Sequence, residues 1–168
     1  MAKLSGKELG PVKLGALANT QQLLLAPCID TLTLCRGWDE STTEALTNAL
    51  SCVLRANPVL TGKLVSKSSG MFVEPVENFR VEDFLHKVQP PEGVTAADLE
   101  KLNLRSKRLA YIQEKLGHAF ADLGTGNDQL SSRSNLFAVE IMLLGQGWAC
   151  YSVSLSHLVG DGATVGWG

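Results

Sequence analysis

The chain has 168 residues, 45% of them hydrophobic and 19% charged, with a formal net charge of −2. That length and apolar content allow one domain with a buried core. The near-neutral charge gives no electrostatic drive toward nucleic acid or an anionic membrane surface. Residues 1–7 (MAKLSGK) lack the apolar stretch of a secretory signal and no run is long enough to span a bilayer, so a cytoplasmic location is expected. Cys28, Cys35, Cys52 and Cys150 form no CxxC pair and no Cys/His group at zinc spacing. They read as small buried hydrophobes, with no metal expected.

In chain order, Leu23 to Leu34 (LLLAPCIDTLTL) predicts an early strand, broken near Pro27. A helix follows the turn at Gly37. Ser41 and Glu44 fit a capping box at its start, with Asp39 as the alternative cap. Leu46, Ala49, Leu50, Val53 and Leu54 recur at helical spacing, and Pro58 ends the pattern. Val59 to Val65 and Met71 to Val76 read as two short strands joined through a polar loop ending at Gly70. A turn-rich stretch with Pro90, Pro91 and Gly93 separates these from the next helix.

That helix is predicted to start at Thr95, with Asp98 three residues on, and to end near Gly117. Leu99, Leu102, Leu109, Ile112 and Leu116 form its apolar stripe. Lys101, Arg105, Lys107, Arg108 and Lys115 occupy much of the rest, but Glu100 and Glu114 interrupt them, which favours a solvated face over a phosphate site. Residues 121–135 (ADLGTGNDQLSSRSN) read as a mobile surface loop. Leu136 to Leu144 and Trp148 to Leu158 then give two strand patterns around Gly145-Gln146-Gly147, a hairpin. The order of elements points to a layered mixed α and β architecture, α+β in character.

Alternation along the second hairpin strand puts Tyr151, Val153, Leu155 and His157 on one face, and Cys150, Ser152, Ser154 and Ser156 on the other. Beyond it, Gly160 and Gly162 flank Asp161 and permit a sharp turn. Three readings meet at this point. The histidine can be a core residue satisfied by one hydrogen bond, or a general base held rigidly at a strand end beside a cleft. The third reading takes Gly160, Gly162 and Gly166 as a nucleotide-binding turn. Against it, the strand alternates with serines and is the second arm of a hairpin, whereas the strand before a dinucleotide turn is an apolar run in a parallel sheet. Val165 also stands where the third glycine belongs, and no acidic residue follows.

Residues His157-Leu158-Val159-Gly160-Asp161-Gly162 match the pattern HxxxDG. With this motif the chain resembles the N-terminal half of the histidine-motif acyltransferases. That superfamily is built on the chloramphenicol acetyltransferase fold and includes plant BAHD acyl-CoA transferases, fungal relatives and peptide-synthetase condensation domains. Ser156 stands where some members have a second histidine, and a single histidine is more similar to the BAHD and fungal pattern. Two further segments carry the resemblance. Ala45 to Val65 resembles an early family helix that ends in a proline and runs into a strand of the P-L-A-G-R-L kind, here Pro58-Val59-Leu60-Thr61-Gly62-Lys63-Leu64. The hairpin from Leu136 to His157 resembles the paired strands that lead into the motif.

The resemblance implies an α/β half-domain over residues 1–168, with a mixed, mostly antiparallel sheet packed with helices and the C-terminal half absent. It implies direct acyl transfer from an acyl-CoA thioester, a co-substrate and not a resident cofactor, to a small-molecule hydroxyl or amine. His157 would be the general base. Asp161 would hold the loop by pairing with an arginine, Arg105 or Arg108 being the candidates. Gly162 would leave room at the channel, with Ser156 and Gly160 as channel neighbours, and no metal is implied. Family members are more than twice as long and enclose the channel between two halves. The chain is therefore expected to be a partial enzyme with apolar surface uncovered by a missing half. The alternative is a non-catalytic half-domain that serves as a protein interaction module through self-association or pairing with a relative.

Overall fold

The computed structural model describes residues 10–14, 21–101, 120 and 123–160. In chain order the elements are β1 (Val12–Lys13), α1 (Gln21–Leu25), β2 (Ile29–Arg36), α2 (Glu40–Ala56), β3 (Lys63–Lys67), β4 (Gly70–Glu74), β5 (Leu85–Val88), α3 (Ala96–Lys101), α4 (Gly126–Ser132), β6 (Phe137–Gly145) and β7 (Trp148–Leu155). Short 3₁₀ turns at Pro58–Thr61 and Val81–Asp83 connect them. One sheet has the strand order β2-β7-β6-β5 and the other β1-β4-β3. All pairings are antiparallel except β5 with β6. This matches the expected mixed, mostly antiparallel sheet packed with helices. Among the described residues no helix is long and apolar enough to cross a membrane.

The hairpin that the alternating pattern predicts is the spine of the larger sheet. β6 and β7 pair from Phe137↔Leu155 to Gly145↔Trp148, and β2 lies along the other side of β7 in unbroken register from Ile29↔Leu155 to Arg36↔Trp148. Register fixes which side chains share a face. Phe137, Val139, Val153 and Leu155 pack with Leu50 and Leu54, so α2 covers that side. On the opposite side Leu99 of α3 covers Met142 and Cys150, with Leu32, Leu34 and Val88 around them. Ser152, Ser154 and Glu140 are also buried there, while Tyr151 and Val153 are half-buried. The serine row is thus the more deeply buried face of β7. A third cluster joins the sheets, with Leu64, Met71 and Val73 of β3 and β4 packed against Leu136 and Leu158.

Several local expectations are corrected. The start of the predicted early strand is instead α1, because Leu23, Leu24 and Leu25 are good helix formers and the first two pack against the third cluster. The strand begins only at Ile29, and Pro27 makes an isolated bridge to Thr125. At α2 the alternative cap holds. Asp39 Oδ1 accepts Thr42 N–H at 2.7 Å and the Thr42 and Ser41 hydroxyls at 2.7 and 2.8 Å, which leaves Ser41 and Glu44 inside the helix. Of its stripe, Leu50 and Leu54 are buried and Leu46 is half-buried, whereas Ala49 and Val53 are exposed.

Val59 to Val65 begins as a 3₁₀ turn before β3. Buried Thr61 anchors it, with its hydroxyl 2.8 Å from the Pro58 carbonyl and accepting Val76 N–H at 3.3 Å. A Cβ at Gly62 would collide with Val73 Cγ1 and stand 3.0 Å from the Glu74 carbonyl oxygen, so the strand can start flush against β4 only with glycine there. Strand β5 was not foreseen: its four residues, LHKV, are too few to show a period.

The loop expected over 121–135 contains α4. Thr125 and Asp128 cap each other across its first turn, as Thr95 and Asp98 do before α3. Of the helix expected to reach Gly117, α3 holds Leu99 of the stripe and ends at Lys101; Leu102, Leu109, Ile112 and Leu116, with Arg105, Lys107, Arg108 and Lys115, lie outside the described residues. The cysteines are not uniformly buried, since Cys52 is exposed and Cys28 and Cys35 are half-buried. Only Cys150 behaves as expected: burial, with nearby Cys35 adding to it, pushes its thiol up to about 12.

The Asp39 cap carries a signature in acid. Hydrogen bonds from the Thr42 hydroxyl and N–H, then the Ser41 hydroxyl, hold its carboxyl down to about 2. A depressed folded-state pKa gives stability that is present above the unfolded value of about 3.9 and is lost as pH falls through about 2. Thermal melts of wild type and Asp39→Asn followed by circular dichroism will therefore show a gap in favour of wild type near neutral pH that closes between pH ~4 and ~2. A gap independent of pH would contradict the assignment.

Candidate functional site

Strand β7 ends at Leu155, one step short of where the alternating row was expected to deliver His157. Ser156 still follows the ladder, donating its N–H to the Leu136 carbonyl at 2.8 Å, and residues 157–159 then form a turn. His157 thus opens this turn and does not close the strand's bulky row. Val159 and Gly160 donate their N–H groups to the Ser156 carbonyl at 3.1 and 3.3 Å, and Leu158 N–H donates to Ser156 Oγ at 3.3 Å. Three successive amides of the turn hang on one serine.

Packing holds the same turn from the apolar side. Leu158 is buried with Leu64, Met71, Val73 and Leu136, while Val159 packs against both that cluster and the one under α2. Helix α4 approaches so closely that a Cβ at Gly126 would lie 2.8 Å from Leu158 Cδ1 and 3.1 Å from Leu24 Cα. The turn therefore sits where the two sheets' cores meet. His157 between these anchors is half-buried, and among the described residues nothing hydrogen-bonds its imidazole. The imidazole is thus carried on a backbone that is hydrogen-bonded at Ser156 and packed at Leu158 and Val159. Gly160 is half-buried beside it; Asp161 and Gly162, with Arg105 and Arg108, lie outside the described residues.

Ser156 is 2% exposed and does more than the expected channel neighbour would. Its hydroxyl donates at 2.7 Å to Oε1 of Gln129, a fully buried side chain on α4. Gln129 Nε2 donates in turn to the Leu123 carbonyl at 3.2 Å and to Cys28 Sγ at 3.1 Å, and Cys28 Sγ lies 3.3 Å from the Gly124 carbonyl. Sequence reading missed Gln129 because it falls in what reads as a polar loop. The available signal was the Thr125-x-x-Asp128 capping pair, which announces a helix.

A cavity of about 290 Å³ lies elsewhere, at the hairpin-turn end of the sheet, between Trp38 and Trp148 with Glu40, Lys87 and Leu143 at its walls. The Trp38 indole N–H is bonded to Thr43 Oγ1 and Arg36 lies 5.6 Å from the Trp148 ring. The length of β7 separates this cavity from His157, so it does not serve that residue. Among the described residues no group of three or more His, Cys, Asp or Glu side chains is placed to hold a metal.

No protein-family model and no curated protein matches the chain. Solved structures do. TRI101 of F. sporotrichioides, complexed with coenzyme A and T-2, superposes with a TM-score of 0.62 at 14% identity over 90% of this chain and 37% of its own. The condensation domain that mediates chain release from the enacyloxin polyketide synthase gives 0.58 at 12% identity, over 91% of this chain and 28% of its own. A variant of the starter condensation domain of rhizomide synthetase, in complex with C8-CoA, gives 0.55 at 13% identity, over 91% and 32%. These likenesses establish the fold: the chain has the architecture of one half of the chloramphenicol acetyltransferase-like fold. It spans about a third of the length of these three proteins.

The buried serine gives a direct test of the site's construction. Ser156→Ala leaves Gln129 Oε1 and Leu158 N–H without the hydroxyl between them, and an orphaned buried group costs about 1–3 kcal/mol. The urea midpoint is expected to fall accordingly with an unchanged slope. An unchanged midpoint would show that the hydroxyl is not held as described.

Proposed function

We propose that the chain is the N-terminal half of an acyl-CoA-dependent acyltransferase in which His157 is the general base. The observation that carries this reading is the half-buried imidazole on a turn secured from both sides, in a fold also found in proteins complexed with coenzyme A or C8-CoA. The unengaged ring favours a base over a core histidine satisfied by a hydrogen bond. The antiparallel pairing of β7 on both of its edges is opposed to the parallel setting of a nucleotide turn.

In the proposed reaction a small-molecule alcohol or amine lies against His157 while the acyl-CoA thioester carbonyl lies beyond it. The imidazole takes the acceptor's proton as the oxygen or nitrogen attacks the carbonyl carbon. The C–S bond then breaks and the CoA sulfur leaves, receiving the proton back from the imidazolium, so no acyl-enzyme forms and no resident cofactor is used. Asp161, paired with Arg105 or Arg108, shapes the loop after the turn, and Gly162 leaves room for the ligands. A second half-domain supplies the facing wall of the channel.

The test is CoA release from several acyl-CoAs with alcohol and amine acceptors, with the second half-domain present in the same chain or added to it. His157→Ala is expected to lower kcat by about 10²- to 10⁴-fold, the usual contribution of a positioned acid-base group. Unchanged turnover in that variant would overturn the role of His157. Specific self-association without any acyl transfer would support an interaction module instead.

A further inference from the structure

We propose that Gln129 is a positioning residue for His157, acting through Ser156; this inference rests on the reading of His157 as the base. Gln129 has no exposed surface, although its amide offers two donors and an acceptor that are costly to bury unpaired. All three functions are met, and each partner belongs to a different stretch of chain. Ser156 closes β7, Leu123 precedes α4, and Cys28 leads into β2. One side chain therefore ties together the three segments that converge behind the turn.

The chemistry of the partners fixes which way the amide faces. The Leu123 carbonyl can only accept, so the Gln129 atom facing it must be the amide nitrogen, and Oε1 must face Ser156. An amide oxygen can only accept, so the Ser156 hydroxyl must give its proton to Gln129. A lone pair of Oγ is then left toward Leu158 N–H, 3.3 Å away. The polarity runs in one direction from Leu158 N–H through Ser156 Oγ–H and the Gln129 amide to the Leu123 carbonyl. Buried hydrogen bonds linked in this sense strengthen one another.

Without the Gln129 oxygen the Ser156 hydroxyl loses its acceptor and rotates, and the Leu158 amide loses a defined partner. Leu158 is the residue directly after His157, so that loss loosens the backbone carrying the imidazole. Misplacement of a catalytic group by about 1 Å can cost about 10²-fold in rate. The hydrogen bonds of Gln129 go to Ser156, Leu123 and Cys28 and not to His157, so its effect should fall on turnover and not on ligand affinity.

The experiment compares wild type with Gln129→Met, which keeps the side-chain length and removes the polar atoms. Two readouts are taken: kcat and KM for acyl transfer, and the imidazole NMR signals of His157 in histidine-labelled protein. The expected result is a kcat lower by about 10²-fold with KM little changed, and His157 signals that pass from one sharp set to several or broadened sets. If Gln129→Met does not fold, Ser156→Ala cuts the same bond from its other end and is read in the same way. Unchanged kcat and unchanged His157 signals, alongside an inactive His157→Ala, would overturn the role of Gln129 and leave the base assignment standing. Full turnover in His157→Ala would instead remove the base assignment, and the His157 signals would still decide whether Gln129 holds the turn.

Discussion

The structure depends most on how the chain is held immediately after β7. Ser156 keeps its N–H on the β6 ladder, offers its carbonyl to two amides and its hydroxyl to a third, and is sealed from solvent. Leu158 then enters the core shared with β3 and β4, and Val159 bridges to the core under α2. Polar and apolar restraints converge on the same few residues, and His157 lies between them. A histidine in a long exposed loop would sample many positions; here the backbone on either side is fixed by groups that cannot leave without exposing apolar surface or orphaning a buried amide.

The two sheets explain why the turn needs this double anchorage. Among the described residues no strand pairing joins β2-β7-β6-β5 to β1-β4-β3. They are connected by side-chain packing around Leu64, Val73, Leu136 and Leu158, with α1 and α4 alongside, and by the Lys63 ammonium on the Asn135 side-chain oxygen. Gly62 and Gly126 mark the closest approaches, one where β3 meets β4 and the other where α4 meets Leu158 and Leu24. The Pro-to-Leu segment quoted for its family resemblance thus has a structural purpose: a proline ends α2, Thr61 bonds the 3₁₀ turn, and glycine admits β3 beside β4.

Much of this was legible from residue types. Strand patterns over 136–144 and 148–158 around Gly145-Gln146-Gly147 marked the hairpin, and the leucines of α2 marked the face it buries, because the alternation of the second strand and the helical recurrence of α2 run long enough to separate period 2.0 from 3.6. Short or mixed segments were not legible. Four residues of β5 carry no period, and three leucines before Pro27 suit a helix turn or a strand equally well by hydrophobicity. The α4 segment was misread because glycine, serine and asparagine dominate its composition, although its capping pair was visible. At the candidate site, the motif and the position before it singled out His157 and Ser156. Gln129 was not, because its role depends on Cys28 and Ser156, which are 101 and 27 residues away in sequence. No local pattern encodes such a convergence.

Under the proposed function this turn presents His157 to an acyl acceptor. A structure of the protein with its second half-domain, coenzyme A and an acceptor tests it most directly. The acceptor's hydroxyl or amine is expected within about 2.6–3.2 Å of an imidazole nitrogen of His157, with the CoA sulfur beyond it. Both ligands seated away from His157, with another side chain within hydrogen-bonding distance of the acceptor, would contradict it.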